Sequence, residues 1–124
     1  MKKFLKSAKS PEPIGPYSQA VGFEKLIFTS GQIALDTSGS IVSDDIFKQT
    51  EKVIENLKNI LEDNGSSLEK VIKTTVFLKD MQDFASMNEV YNKYFGKSMP
   101  ARSTVEVSRL PKDVKVEIEV IAYN

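Results

Sequence analysis

Between residues 46 and 61, apolar side chains recur at Ile46, Phe47, Val53, Ile54, Leu57, Ile60 and Leu61, with Thr50 filling the phase. That spacing predicts an amphipathic helix with one continuous apolar stripe. Lys48, Glu51, Lys52, Glu55, Lys58 and Glu62 fall opposite it and predict a solvated face. Ser43 or Asp44 is placed to cap its start, and Asn64-Gly65 to end it through a left-handed residue. A second stripe, Phe84, Met87, Asn88, Tyr91, Tyr94 and Phe95, predicts a helix over 82–95 closed by Gly96. Asn88 interrupts that stripe. A buried amide needs partners, either in the backbone of the fold or on a ligand.

Elsewhere the period drops to two. Residues 3–8 predict a short edge strand, and 20–24 with 26–30 predict a hairpin around Lys25. Residues 68–80 begin with a helical lead-in and become the longest strand, apolar on both faces and so central. In 100–107, Ala101, Ser103, Val105 and Val107 alternate with Arg102, Thr104 and Glu106, so Arg102 and Thr104 share a face. In 115–123, Val116, Ile118, Val120 and Ala122 alternate with Glu117, Glu119, Ile121 and Tyr123. Two glutamates in an otherwise apolar strand are costly if both are buried. Either that face meets solvent or one carboxylate works beside a cation or a water.

The element order β-β-β-α-β-α-β-β predicts an α+β domain over 1–124, one mixed sheet with both helices on one face. Because sequential strands usually pair, 101–108 and 115–123 are expected to form a hairpin. The second face of the sheet is expected to carry apolar groups together with Arg102, Thr104, Glu117 and Glu119. Copies packing sheet to sheet would cover it and place polar sites at the seams.

Composition narrows the chemistry. The chain has 124 residues, no cysteine and no histidine. Thiolate nucleophiles, disulfides, the Ser-His-Asp triad and the common zinc sites are therefore excluded. Seventeen basic residues balance seventeen acidic ones, which argues against a nucleic-acid tracking surface. No apolar run approaches the ~18 residues of a membrane span, and no apolar region follows the basic N-terminus, so the cytoplasm is the expected compartment. Of the seventeen basic residues only Arg102 and Arg109 are arginine. A planar, permanently charged fork suits a carboxylate ligand; an ion pair with Glu106 or Glu117 is the structural alternative. Pro11, Pro13, Gly15 and Pro16 make 10–19 a rigid extended loop that holds Tyr17 just after Gly15-Pro16. That tyrosine is either presented to a ligand or packed on the core. Gly31, after Ser30 at a strand end, permits close backbone approach.

Taken jointly, five segments carry a family resemblance. They are Gly15-Pro16-Tyr17-Ser18-Gln19-Ala20, Thr29-Ser30-Gly31-Gln32-Ile33, Pro100-Ala101-Arg102-Ser103-Thr104-Val105-Glu106-Val107, Leu110-Pro111-Lys112 and Val116-Glu117-Ile118-Glu119-Val120-Ile121-Ala122. In this order and spacing the chain resembles the RidA (YjgF) family of reactive-intermediate deaminases. The resemblance implies a chorismate-mutase-like fold and a homotrimer packed through the sheet face, with a cleft between neighbouring subunits. It implies hydrolysis of enamines and imines such as 2-aminoacrylate, 2-iminopropanoate and 2-iminobutanoate to 2-keto acids and ammonia, with no metal or organic cofactor. The family's carboxylate-binding arginine falls on Arg102 and its water-positioning glutamate on Glu117. Its cleft residues fall on Tyr17, Ser30, Gly31 and Asn88, and on Thr104, where many members have cysteine. The same resemblance places the final strand between 71–79 and 26–30, with 101–108 beside 71–79, in conflict with the hairpin expected from chain order. The rival functions are an endoribonuclease or translation inhibitor, and a non-catalytic regulator that binds small carboxylates.

Overall fold

The computed structural model describes all 124 residues, Met1–Asn124. Six strands, β1 (Lys3–Leu5), β2 (Ala20–Phe23), β3 (Leu26–Thr29), β4 (Val71–Leu78), β5 (Ala101–Glu106) and β6 (Val116–Tyr123), form one sheet in the order β1-β2-β3-β6-β4-β5. Helices α1 (Ile46–Glu62) and α2 (Phe84–Phe95) pack on one face. All neighbours are antiparallel except β4 and β5, which run parallel, with α2 in the crossover between them. A helical crossover is what joins parallel neighbours. The expected β5–β6 hairpin is therefore wrong, and the strand order implied by the family resemblance is the one found. β6 takes the centre because its Val116, Ile118, Val120 and Ala122 are almost fully buried beneath the helices, and an edge position would expose part of that row.

The sequence pattern of α1 is nearly realised. Val53, Ile54, Leu57, Ile60 and Leu61 are fully buried, but Phe47 is exposed and Gln49 and Asn56 are buried in its stead. The cap is Asp45 rather than Ser43 or Asp44; its carboxylate accepts from the Lys48 N–H at 2.9 Å. Gly65 adopts φ +82° just beyond the helix, as its position required. Gly96 closes α2 in right-handed geometry, φ −63°.

The buried amides on α1 hold loops. Asn56 Nδ2 donates to the carbonyls of Ile33 at 3.3 Å and Leu35 at 3.0 Å. Gln49 Oε1 accepts from the Lys115 N–H and its Nε2 donates to the Ser43 carbonyl. On the far side of the sheet, Ile33, Leu35, Leu110 and Val114 form a small second core against Phe77. That cluster covers one end of the open sheet face. The other end leaves Phe4, Phe23, Phe28 and Tyr123 exposed.

Candidate functional site

Glu117 stands on the open face of β6, opposite Phe77 of β4. It is half-buried, and burial, then the neighbouring charge of Glu119, pushes its carboxyl above the ordinary range. Its side chain lies against Gly31. A Cβ built on residue 31 would come within 2.5 Å of Glu117 Oε2, so only glycine leaves room for the carboxylate there. The Gly31 N–H has no hydrogen-bond acceptor within the chain. Asn56, by anchoring the Ile33 and Leu35 carbonyls, sets where this glycine lies.

Glu117 and Gly31 line a cleft with Pro11, Pro13, Ile14 and Tyr17. It offers about 60 Å³ to water centres, several times the ~10–15 Å³ that one water needs. Tyr17 reaches it from the proline-rich loop, which Gln19 ties down. Gln19 is 3% exposed; its Oε1 accepts from the Ser7 N–H and its Nε2 donates to the carbonyls of Ser7, Ser10 and Pro11. The Tyr17 hydroxyl oxygen accepts from the Ile14 N–H at 3.3 Å, which leaves its own proton free to donate. Ser30, next to Gly31 in the chain, donates its hydroxyl proton to the Ser18 carbonyl. With that proton engaged, the Ser30 hydroxyl oxygen has only lone pairs left to offer.

Arg102 is elsewhere. In the β4–β5 register it lies opposite Thr74, and Thr104 opposite Val76. Thr74 and Val76 are buried beneath the helices, so Arg102 and Thr104 are on the helix side of the sheet edge. The expectation that they share the open face with Glu117 and Glu119 is corrected. Alternation told which residues share a face of β5; it could not tell which face, because both sides of this edge strand are partly exposed. One strand, β4, separates β5 from β6. Arg102 and Glu117 thus sit about 10 Å apart laterally and on opposite faces within one chain.

The guanidinium has no acid. Its Nη1 donates to Asn88 Oδ1 at 2.7 Å, and it lies over the rings of Tyr91 and Phe84. The ion pairs of the chain are Lys9–Asp63 and Arg109–Asp113. The alternatives of an Arg102 pair with Glu106 or Glu117 are both excluded: Glu106 accepts from the Met81 N–H at 2.7 Å. Thr104 Oγ1, two residues along from Arg102, is buried without any hydrogen-bond partner. No cluster of acidic side chains with metal-holding geometry is present, and no helix is long and apolar enough to cross a membrane.

The chain therefore brings Tyr17, Ser30, Gly31 and Glu117 together in one group and Asn88, Arg102 and Thr104 in another. Reading the sequence missed Gln19 and Asn56, which place the first group, and Tyr91, which underlies the second. A lone amide inside an apolar stripe or beside a proline loop is the signal that would have found the first two.

The model of the family described as Endoribonuclease L-PSP matches residues 7–124. A RutC family protein of Pyrococcus abyssi is 58% identical over 98% of this chain and 97% of its own length. The chain belongs to the RidA (YjgF) family. Within it, a Salmonella typhimurium protein named 2-iminobutanoate/2-iminopropanoate deaminase is 45% identical over 98% of both chains. The crystal structure of Escherichia coli TdcF with bound serine superposes with a TM-score of 0.92 at 44% identity, covering 98% of each chain. That superposition covers nearly the whole of both chains, so the α+β fold read from the sequence stands.

Proposed function

We propose that this protein hydrolyses small 2-imino acids and their enamine tautomers, such as 2-iminopropanoate and 2-iminobutanoate, to 2-keto acids and ammonia. One observation carries the proposal. Arg102 is a cation without a carboxylate partner, and Glu117 is a half-buried carboxylate without a cation. A small acid with an electrophilic carbon satisfies both if a second copy brings its Arg102 to the Glu117 cleft. A homotrimer with the open sheet faces inward supplies three such clefts and covers the exposed apolar end of the sheet. The relative named as a deaminase and the family member with bound serine support a small amino-acid-derived ligand.

Arg102 grips the substrate carboxylate with paired N–H donors, since only one of its five is engaged by Asn88. Thr104 stands beside Arg102 on the same side of β5, and its Oγ1 stays buried within the chain rather than meeting the ligand. Glu117 holds a water over the imine carbon and takes its proton as the C–O bond forms. That proton passes to nitrogen, giving a carbinolamine; Glu117 then takes the carbinolamine hydroxyl proton and returns it to nitrogen as the C=O forms, the C–N bond breaks, and ammonia leaves the 2-keto acid. A carboxyl raised by burial is suited to both halves of this shuttle. The Gly31 N–H stabilises the developing oxyanion, Ser30 accepts from the nitrogen N–H, and Tyr17 closes the cleft. Because imines already react with water, positioning is the main contribution.

The test couples a pyridoxal-phosphate threonine dehydratase to this protein and follows keto-acid appearance. Acceleration by wild type and its loss in Arg102→Ala are expected; equal rates would overturn the assignment. An endoribonuclease reading draws on the description of the family. The zero net charge and the lack of histidine oppose it. Salt-sensitive RNA cleavage abolished by Glu117→Gln would select it. Binding of 2-keto acids without any acceleration would instead select a regulatory role.

A further inference from the structure

Resting on that reading, we propose that Tyr91 is a positioning residue for Arg102: its ring, locked from below by Thr74, sets the plane of the guanidinium and so the direction of its free N–H groups. The sequence pattern marks Tyr91 as core, and it is 9% exposed. Its environment does more than bury it. The phenol hydroxyl meets Thr74 Oγ1 at 2.8 Å, and Thr74 is fully buried. The ring centroid lies 4.7 Å from that of Phe95, tilted by 38°. Its face lies under Arg102, with Cζ 4.7 Å from the centroid; Phe84 flanks the same guanidinium at 5.5 Å.

Thr74 and Arg102 are register partners on adjacent strands. Tyr91 therefore bridges them from the helix: the hydroxyl is pinned to one strand and the ring face is offered to the side chain of the next. A long, flexible arginine on an edge strand would otherwise sample many rotamers and lose that entropy on binding. A cation stacked on an aromatic face inside about 6 Å is held in plane, and the single bond to Asn88 fixes its rotation within that plane. The remaining N–H groups have no partner within the chain and are left to a ligand. Burial pushes the phenol further above its already high ordinary value, so the ring offers a neutral π face and no competing anion.

The experiment compares Tyr91→Phe, Tyr91→Leu and Arg102→Ala in the full-length protein, by imine-hydrolysis kinetics and by calorimetric titration with 2-oxobutanoate. Tyr91→Leu, which keeps bulk but removes the π face, should raise KM and the 2-oxobutanoate Kd about tenfold with kcat within about threefold. Tyr91→Phe keeps the π face but frees the ring from Thr74, so it should raise both constants by about threefold, less than Tyr91→Leu does, while lowering Tm because it strands the Thr74 hydroxyl. A purely structural tyrosine would move Tm in both variants and KM in neither, which would overturn the proposal. If Tyr91→Leu does not fold, the wild-type protein decides. Arg102 side-chain N–H resonances, assigned by their loss in Arg102→Lys, should be shifted upfield by ring current and sharpened by slow rotation. Resonances at random-coil positions would overturn it. Should Arg102→Ala bind 2-oxobutanoate as wild type does, the deaminase reading fails. Should only Arg102→Ala lose binding, that reading stands and the role of Tyr91 falls.

Discussion

The two arginines of this chain occupy opposite situations. Arg109 lies in the exposed turn before β6, and its Nε and Nη2 meet both carboxylate oxygens of Asp113, at 2.7 and 3.3 Å. The pairing holds the Asp113 carboxyl below its ordinary range and raises Arg109. Arg102, on the edge strand, has two aromatic faces and a neutral amide, and no acid. The glutamates divide in the same way. Glu106 accepts from the Met81 amide, whereas Glu117 is half-buried against a glycine and has no hydrogen-bond donor within the chain. A charge with an internal partner explains its own presence. A half-buried charge without one is a demand that something outside the chain must meet, because desolvation without compensation costs stability. That difference, rather than residue type, separates the candidate site from the surface.

The comparison breaks most visibly at Arg102. Arg102→Ala is expected to lower kcat/KM for imine hydrolysis by about a hundredfold or more, and Arg102→Lys to lose most of that activity, since a point charge cannot replace the fork. Chains carrying Arg102→Ala and Glu117→Gln, each inactive alone, should recover activity when unfolded together and reassembled. With random mixing about one cleft in four receives both wild-type groups. No recovery would mean that the two residues do not meet across a subunit seam.

A smaller effect is expected at Gly31. Gly31→Ala drives a Cβ into the Glu117 carboxylate, and the glutamate must swing aside. Its displacement should reduce kcat about tenfold or more with little change in Tm. An unchanged kcat in that variant would show that the observed position of Glu117 is not the working one.

Next in size is a pH effect on stability, which sharpens the contrast between paired and unpaired acids. Folding raises the Glu117 carboxyl above its ordinary value, so the native state binds its proton more tightly than the unfolded chain. The resulting stability is complete below the unfolded value and is lost as pH rises through the folded one. In an Arg102→Ala background, where no guanidinium can answer Glu117, thermal melts should show this fall in Tm from acid towards neutral pH. Adding Glu117→Gln should flatten it. With Arg102 restored, the fall should shrink. Asp113 has the opposite sign, since its pairing is lost as pH drops through its lowered value. Arg109→Ala is the smallest expected change: a fully exposed pair should leave Tm within error and activity within about twofold.

Much of the fold was legible because hydrophobic periodicity reports burial directly. The α1 stripe, the alternation in β6 and the glycine after α1 each follow from side-chain geometry within one element. Phe47 and the buried Gln49 and Asn56 departed from the pattern because loops, not helices, pack on that part of α1. The amides are buried where backbone carbonyls and amides of the 31–35 and 115 segments need partners.

By itself the sequence determined the elements, the pairing of Arg102 with Thr104 on one side of a strand, and the chemistry left after histidine and cysteine are removed. The resemblance had put β5 beside β4, but only tertiary structure decided the parallel register that sets Arg102 beside Thr74, facing α2 and turned away from Glu117. The physical reason is that alternation is a relative quantity. It orders neighbours along a strand, but an edge strand exposed on both sides has no hydrophobic vector to say which side is up. The partnerless state of Arg102 was equally invisible, because the absence of a carboxylate within reach is a property of space and not of the chain.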